Sequence, residues 1–129
     1  MNDYAAIEAK FAHLFALEYG GIECGPGWYV WVEDLVESLN ALPERYGTPG
    51  ISSPIRIRQI KKKGSEPRCY VECNDEKLEW YVDRVVHMFL GRCSVTCVRC
   101  GRMEHKLIPN VCDQCKEEIG DETPQDSAI

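Results

Sequence analysis

The stretch from Cys97 to Cys115, CVRCGRMEHKLIPNVCDQC, contains two Cys-x-x-Cys pairs separated by eleven residues. One such pair supplies two thiolates from a tight turn, and two pairs complete the four tetrahedral donors that Zn²⁺ prefers. Gly101 follows the first pair and helps the backbone to turn, and the residues between the pairs can form a short hairpin. The spacing therefore predicts a zinc ribbon over residues 94–116. Its expected ligands to one structural Zn²⁺ are Cys97, Cys100, Cys112 and Cys115.

Disulfides and redox chemistry are the alternative uses of these thiols. Disulfides form in oxidising compartments, whereas the N-terminal segment MNDYAAIEAKF starts acidic and is not typical of a secretory signal. We therefore expect a cytoplasmic protein with reduced thiols. A redox Cys-x-x-Cys begins a helix beside a parallel sheet, which this sequence does not predict. Iron fits the same sulfur donors as zinc, and with four protein ligands either metal is structural rather than catalytic.

Length and composition are those of an ordinary globular chain. Its 129 residues suffice for one modest domain with a small appendage, and no apolar run approaches the ~20 residues of a membrane span. The net charge of −6 is unevenly distributed. Residues 1–50 carry eight acidic and two basic side chains. Residues 51–68 carry one acidic and six basic side chains, and residues 117–129 carry five acidic side chains and no basic one. This pattern bears on partners rather than on the fold.

Hydrophobic spacing predicts the order α-α-β-β-α ahead of the cysteines. The predicted elements are helices over 3–19, 28–43 and 75–91 and strands over 55–61 and 68–73. Gly20-Gly21, Pro43 and Gly91 mark the three helix ends. We expect an α+β fold in which a helical N-terminal half precedes a two-stranded antiparallel hairpin packed on a long helix. The predicted domains are 1–93, the zinc ribbon at 94–116 and a disordered acidic tail at 117–129.

The apolar positions of the two longer helices form one stripe each. The expected buried stripes are Trp28, Val32, Leu35, Val36, Leu39 and Leu42 on the second helix, and Leu78, Val82, Val85, Val86 and Phe89 on the third. Cys69 and Cys73 fall on the inward face of the second strand, and Cys93 follows the third helix. These thiols are expected to act as small hydrophobic residues, with a second metal site as the alternative. His105 lies between the two cysteine pairs and is expected to face solvent.

The chain resembles a group of small uncharacterised proteins met in bacteriophage, prophage and bacterial genomes. The similarity covers roughly residues 25–116 and is carried by three motifs: Gly27-Trp28 before a helix, the basic segment from Arg58 to Gly64, and the four cysteines. The resemblance implies an origin in a mobile element and a zinc ribbon. It implies no particular activity.

A non-enzymatic protein-interaction module is the function that we expect, because no catalytic motif is present. Trp80 falls on the far side of the third helix from its apolar stripe, and an outward tryptophan is typical of a binding hot spot. The expected interface residues are Trp80, Arg84, His87, Glu33, Asp34 and Glu37. Together with the resemblance, the acidic helices favour an inhibitor that binds a basic surface of a host or defence complex. No membrane or small-molecule substrate is expected.

Nucleic acid is the alternative partner. Six basic side chains cluster on the predicted hairpin and could lie along phosphates, supported by Arg99, Arg102 and Lys106. The six are Arg56, Arg58, Lys61, Lys62, Lys63 and Arg68. Against this, lysines on a strand often serve only to prevent edge pairing, and the acidic helices would repel a phosphate backbone.

Overall fold

A computed structural model describes residues 4–16, 21–64, 66–104 and 111–119. Within them the chain is a mixed α and β structure with four helices and a three-stranded sheet. The elements are α1 Tyr4–Lys10, β1 Ile22–Glu23, α2 Tyr29–Tyr46, β2 Ile55–Lys63, β3 Glu66–Cys73, α3 Glu76–Ser94 and α4 Asp113–Ile119. Short 3-10 turns cover Ala12–Leu14 and Pro26–Trp28. In the described ranges no helix is both long enough and apolar enough to cross a membrane.

The sheet has one strand more than the predicted hairpin. Strands β2 and β3 pair antiparallel, with Ile55 opposite Cys73 and Lys63 opposite Glu66. Strand β1 adds to the other side of β2 in parallel orientation, with Ile22 opposite Ile60. A two-residue strand is too short to show alternating hydrophobicity, which is why the pattern predicted two strands only. In the described sheet, β2 is central and β3 is an edge strand.

A bulge between Ile57 and Gln59 changes which side chains of β2 face the core. A bulge inserts one unpaired residue, so the inward and outward alternation shifts phase. Ile57, Ile60 and Lys62 are therefore all buried, whereas Arg56 and Arg58 are exposed. The sequence carries this shift as a break in the alternation, since Ile60 follows Ile57 by three positions instead of two, but the segment was predicted as one regular strand.

Helices α2 and α3 pack side by side in opposite directions. Tyr46 at the end of α2 stacks on Tyr81 in α3, with ring centroids 4.1 Å apart, and Arg92 near the end of α3 forms a 2.9 Å ion pair with Asp34 near the start of α2. The predicted α2 stripe is confirmed, since all six of its side chains are buried. On α3, three of the five predicted positions are buried and Val85 and Val86 are half-buried.

Three predicted helix ends are wrong. Helix α1 ends at Lys10, and Phe15 instead forms a parallel bridge with Ile57. Phe11 and Leu14 are therefore buried without continuing the α-helix. Pro43 lies inside α2, whose last turn continues to Tyr46 and is closed by Gly47 N–H donating to Pro43 O at 3.0 Å. Gly91 lies inside α3, which continues to Ser94. Tertiary packing overrides the weak local stop signal of glycine here.

The predicted tail overlaps the last helix. Residues 117–119 belong to α4, because the helix that begins after Cys112 continues beyond the second cysteine pair. Residues 120–129 lie outside the described ranges, as do His105 and Lys106.

Candidate metal centre

The four predicted ligands converge on one point. The Sγ atoms of Cys97, Cys100, Cys112 and Cys115 all lie within 4.8 Å of one another, and Cys100 Sγ is 3.7 Å from Cys112 Sγ. Four sulfurs at about 2.3 Å from a tetrahedral metal are about 3.8 Å apart. The donor set and its spacing therefore fit one metal ion, and the tetrahedral sulfur geometry suits zinc or iron.

The first pair lies at the turn of a tight hairpin. Cys97 N–H donates to Arg102 O at 2.7 Å, and Glu104 N–H donates to Val95 O at 2.8 Å. Gly101 N–H closes the turn on Cys97 O at 2.9 Å. Gly101 has φ +84°, a left-handed conformation that glycine adopts without a steric penalty. This turn brings Cys97 and Cys100 to one side of the hairpin.

The second pair lies at the start of a helix rather than in a second hairpin turn. Cys112 precedes α4 and Cys115 lies in its first turn, where Lys116 N–H donates to Cys112 O at 2.9 Å. The Arg99 side chain donates to Cys115 O at 3.1 Å and so connects the two pairs. The expectation that each Cys-x-x-Cys pair lies in a tight turn was therefore wrong for the second pair, since the same spacing fits the first turn of a helix equally well.

Electrostatics within the cluster favour a bound cation. Burial alone would raise the pKa of Cys97, but backbone N–H groups of Cys100, Cys112 and Arg99 donate to its sulfur and lower the pKa to about 7. The pKa of Cys115 is raised by burial and then by the neighbouring thiols. Four thiolates this close repel one another, and a divalent cation removes that cost. The site thus has at least one easily ionised sulfur, that of Cys97.

The first cysteine turn is fixed to the N-terminal half by contacts that sequence reasoning missed. Gly27 N–H donates to Val98 O at 2.7 Å, and the ring N–H of Trp28 donates to Thr96 O at 2.8 Å. Trp31 donates to Thr96 Oγ1 at 2.9 Å. A Cβ on Gly27 would lie 2.1 Å from Cys97 O, so only glycine allows this approach. The one available signal was the Gly27-Trp28 motif itself.

The remaining cysteines do not form a second metal set among the described residues. Cys24, Cys69 and Cys93 are buried and Cys73 is half-buried. Burial raises the pKa of Cys24 to about 11 and that of Cys69 to about 12, and it also raises the pKa of Cys93. Buried protonated thiols act as packing groups, which is the role that we expected for Cys69 and Cys93. Cys73, for which we expected the same role, is half-buried and its thiol donates to Asp75 O at 3.4 Å.

The residues of the predicted protein interface fall into two separate places. Trp80 is 65 % exposed, and Arg84, His87 and Met88 are exposed on the same helix; these four residues are called the Trp80 patch. On α2, Asp34 and Glu37 are exposed and Glu33 is half-buried. Because Asp34 is paired with Arg92, twelve residues beyond Trp80, it lies roughly 18 Å farther along the helix pair.

The six basic residues of the hairpin are also divided. Lys62 is only 4 % exposed, whereas Arg56, Arg58 and Lys63 are exposed. Arg58 forms an ion pair with Glu72 at 3.7 Å, and Arg68 forms one with Glu66 at 3.1 Å. Tyr70, 52 % exposed, lies opposite Gln59. The outward face of the hairpin thus carries both basic and acidic side chains around the exposed ring of Tyr70.

The chain matches no known family model, no curated protein and no solved structure.

Proposed function

We propose that this protein is a non-enzymatic, zinc-stabilised protein-interaction module whose contact surface is the Trp80 patch. The partner is a host protein or protein complex, and the chain itself comes from a phage or another mobile element. The origin rests on the sequence resemblance alone. The binding function rests on one observation, the exposed and ordered ring of Trp80. Zinc supports the fold, because all four of its donors come from the chain.

The Trp80 ring is held in place although it is exposed. Tyr81 meets it edge-on, with centroids 5.1 Å apart, and the Arg84 guanidinium lies 5.7 Å from its centroid. Tyr81 is itself stacked on Tyr46. A preordered side chain loses less entropy on binding, and burying a tryptophan removes about 150–250 Å² from water. This combination is what a binding hot spot requires.

The charge of the partner follows from the acidic surface. The chain carries a net charge of −6, and Asp34 and Glu37 add exposed carboxylates on α2. Arg92 partly neutralises Asp34, so Glu37 is the stronger contributor. Such charges act at long range and raise association rates with a basic partner more than they raise affinity. We therefore infer that the partner presents a basic surface with an apolar pocket.

The test compares Trp80→Ala with Val30→Ala in affinity capture from a bacterial host lysate. Val30 is also an exposed apolar residue, 61 % accessible, but it lies on α2 outside the Trp80 patch. The host protein that the wild type captures should be lost with Trp80→Ala and retained with Val30→Ala, while zinc content and melting temperature stay unchanged. A large drop in melting temperature for Trp80→Ala would show that the ring serves internal packing. Equal capture by both variants would also contradict the proposal.

A second candidate function is binding of single-stranded nucleic acid on the outward face of the sheet. The observation that favours it is Tyr70, an exposed ring beside basic side chains, since bases stack on such rings while cations follow the phosphates. Lys62 does not belong to this face, because it is buried.

The salt dependence of binding to a single-stranded oligonucleotide tests this candidate. Replacing Lys61 and Lys63 with Ala should reduce the slope of log affinity against log salt by about 1.4, at roughly 0.7 per lost phosphate contact. Tyr70→Ala should lower the affinity at least about fivefold with the slope unchanged. Lys77→Ala, an exposed lysine on α3, is the matched control. Absence of binding at low salt would exclude the candidate.

A further inference from the structure

The edge of the sheet formed by β3 faces an open groove. In the described structure β3 pairs with β2 on one side only, and a groove of about 450 Å³ runs between β3 and α3. Its apolar lining comes from Cys69, Val71, Val82, Val86 and Leu90, with Asp83 and His87 at its polar side. An edge strand offers backbone N–H and C=O groups that a further strand can pair with.

The charges on β3 are self-complementary. Arg68, Tyr70 and Glu72 alternate along the outward face, and Cys69 and Val71 lie between them on the face toward α3. When two copies of a strand pair antiparallel about a twofold axis, positions equally far from the axis face each other. With the axis at Tyr70, each Arg68 therefore faces Glu72 of the other copy.

We propose that the protein forms a homodimer in which β3 pairs antiparallel with β3 of a second copy, centred on Tyr70. This extends the three-stranded sheet to six strands. Two Arg68–Glu72 contacts then flank the central tyrosines, and Cys69 faces Val71 of the other copy on the α3 side. The proposal does not depend on the identity of the partner proposed for the Trp80 patch, although the patch and the groove share His87.

Neighbouring registers satisfy the same charges less well. An axis at Cys69 would place Glu66 opposite Glu72, which is a repulsive pair. An axis at Val71 would place Arg68 opposite Asn74 and Glu72 opposite Tyr70, so no opposite charges would meet. A shift by one residue of one strand against the other would bring outward side chains opposite inward ones. Charge complementarity therefore selects the register centred on Tyr70.

The groove supplies apolar area beyond the strand pair. Five residues of paired strand bury too little surface for a stable dimer, which needs about 1,200–2,000 Å² in total. Val86 and Leu90 are half-buried on α3 beneath the β3 edge, and a second copy on this edge would cover them. The proposed dimer contact thus consists of backbone hydrogen bonds between the two β3 strands and of apolar packing on α3.

Reversing the charge of Arg68 or of Glu72, one at a time, tests each partner of the proposed ion pair separately. Arg68→Glu alone would place glutamates opposite Glu72, and Glu72→Arg alone would place arginines opposite Arg68. Each variant should be monomeric by light scattering after size-exclusion chromatography, with a dimer dissociation constant raised about tenfold or more. An equimolar mixture of the two should form a heterodimer, because both contacts are then between opposite charges.

The zinc-loaded wild type should be dimeric, with a mass that falls on dilution. The double variant Arg68→Glu/Glu72→Arg should restore the homodimer, and Arg45→Glu, an exposed reversal outside the β3 edge, should leave it intact. Circular dichroism checks that each single variant is folded, and mixing the two folded, monomeric variants should recover a dimer. A wild type that is monomeric at its highest soluble concentration overturns the proposal. So does a dimer that both single variants retain, or a mixture that stays monomeric.

Discussion

Gly27 contacts the first cysteine turn with its backbone alone. A side chain there would lie 2.1 Å from Cys97 O, 2.6 Å from Gly101 N and 2.7 Å from Val98 C. All three are backbone atoms of the turn that holds Cys97 and Cys100, so no side chain can move aside to make room. The cysteine turn can therefore pack against residue 27, about 70 positions earlier in the sequence, only because that residue has no side chain.

Gly27→Ala should lower the free energy of unfolding by at least about 2 kcal/mol, because overpacking against backbone forces the turn away from its place. It should also weaken zinc binding. Gly91→Ala is the matched control: it lies inside α3, and apart from its chain neighbours and the adjacent helix backbone no atom lies within 4 Å of the added Cβ. That variant should stabilise the protein by about 0.5–1 kcal/mol. Urea denaturation of the zinc-loaded proteins measures both effects, and equal changes of the same sign would contradict the assignment.

The four ligands could be predicted from spacing, because each Cys-x-x-Cys pair is local and its geometry is set by one turn. The support from Gly27, Trp28 and Thr96 could not, because it joins residues about 70 positions apart and depends on how the helices pack. The same distinction holds for Trp80. Its exposure follows from helical periodicity, whereas the contacts that order its ring, from Tyr46 through Tyr81, depend on the pairing of α2 with α3.

At the scale of elements, Asp75 connects the start of α3 to the loop after α2. Its carboxylate accepts from Lys77 N–H at 3.0 Å, which caps the helix. It also accepts from Thr48 N–H at 2.6 Å and from Thr48 Oγ1 at 2.9 Å. The sequence predicted a helix start at position 75, but the loop contact joins residues 27 positions apart and left no local signal. These hydrogen bonds hold the pKa of Asp75 below its ordinary value of 3.8. The largest effect comes from the Thr48 N–H, and smaller ones come from the Thr48 hydroxyl and the Lys77 N–H.

This lowered pKa predicts how stability depends on pH. A carboxylate whose pKa is lower in the folded state stabilises the fold above its unfolded value, near 4, and loses that contribution as pH falls through the folded pKa. The wild type should therefore be more stable than Asp75→Asn at pH 7, and the difference should shrink below about pH 4. Asp83→Asn, an exposed site on α3, controls for charge. Denaturation midpoints against pH measure the difference, and a gap that stays constant down to pH 2 would contradict this role.

The sequence predicted the buried faces of the helices better than it predicted where helices end or how strands pair. The α2 stripe gave the helix and its buried face, but Pro43 and Gly91 proved to be weak stops because each helix continues to pack beyond them. The two-residue β1 could not be predicted, because it depends on pairing with β2, which is about 38 positions away. The bulge at Ile57–Gln59 has a local signal, the three-residue step from Ile57 to Ile60, which the prediction of one regular strand did not use.

At the scale of the whole molecule, the cysteine cluster belongs to the same buried core as the helices. Cys97, Val98 and Cys112 lie in one continuous cluster with Trp28 and Phe89. The ring N–H groups of Trp28 and Trp31 both end on Thr96, next to the first ligand. A metal ion held by the four cysteines would therefore fix a segment on which the N-terminal half is packed. A ligand that binds only the folded state stabilises every part that unfolds with it.

Zinc removal should consequently destabilise the whole chain rather than residues 94–116 alone. The purified protein should contain about one zinc per chain. A chelator, or Cys100→Ser, should lower the melting temperature by at least about 10 °C. Loss of zinc removes several kcal/mol of folding free energy, and each kcal/mol corresponds to about 3–5 °C. Cys73→Ser, a half-buried thiol outside the cluster, should retain zinc.

The shape of the unfolding transition distinguishes a shared core from an independent ribbon. With a shared core, tryptophan fluorescence and far-ultraviolet circular dichroism should change together in one transition, with and without metal. Measuring the fluorescence in the Trp80→Ala variant limits the signal to Trp28 and Trp31. Chelation alone should also shift the tryptophan emission, because the hydrogen bonds to Thr96 loosen with the cysteine turn. If residues 94–116 form a separate unit, chelation would leave the melting of the helices and their fluorescence unchanged. Metal analysis that finds neither zinc nor iron in freshly purified, reduced protein would remove the metal centre itself.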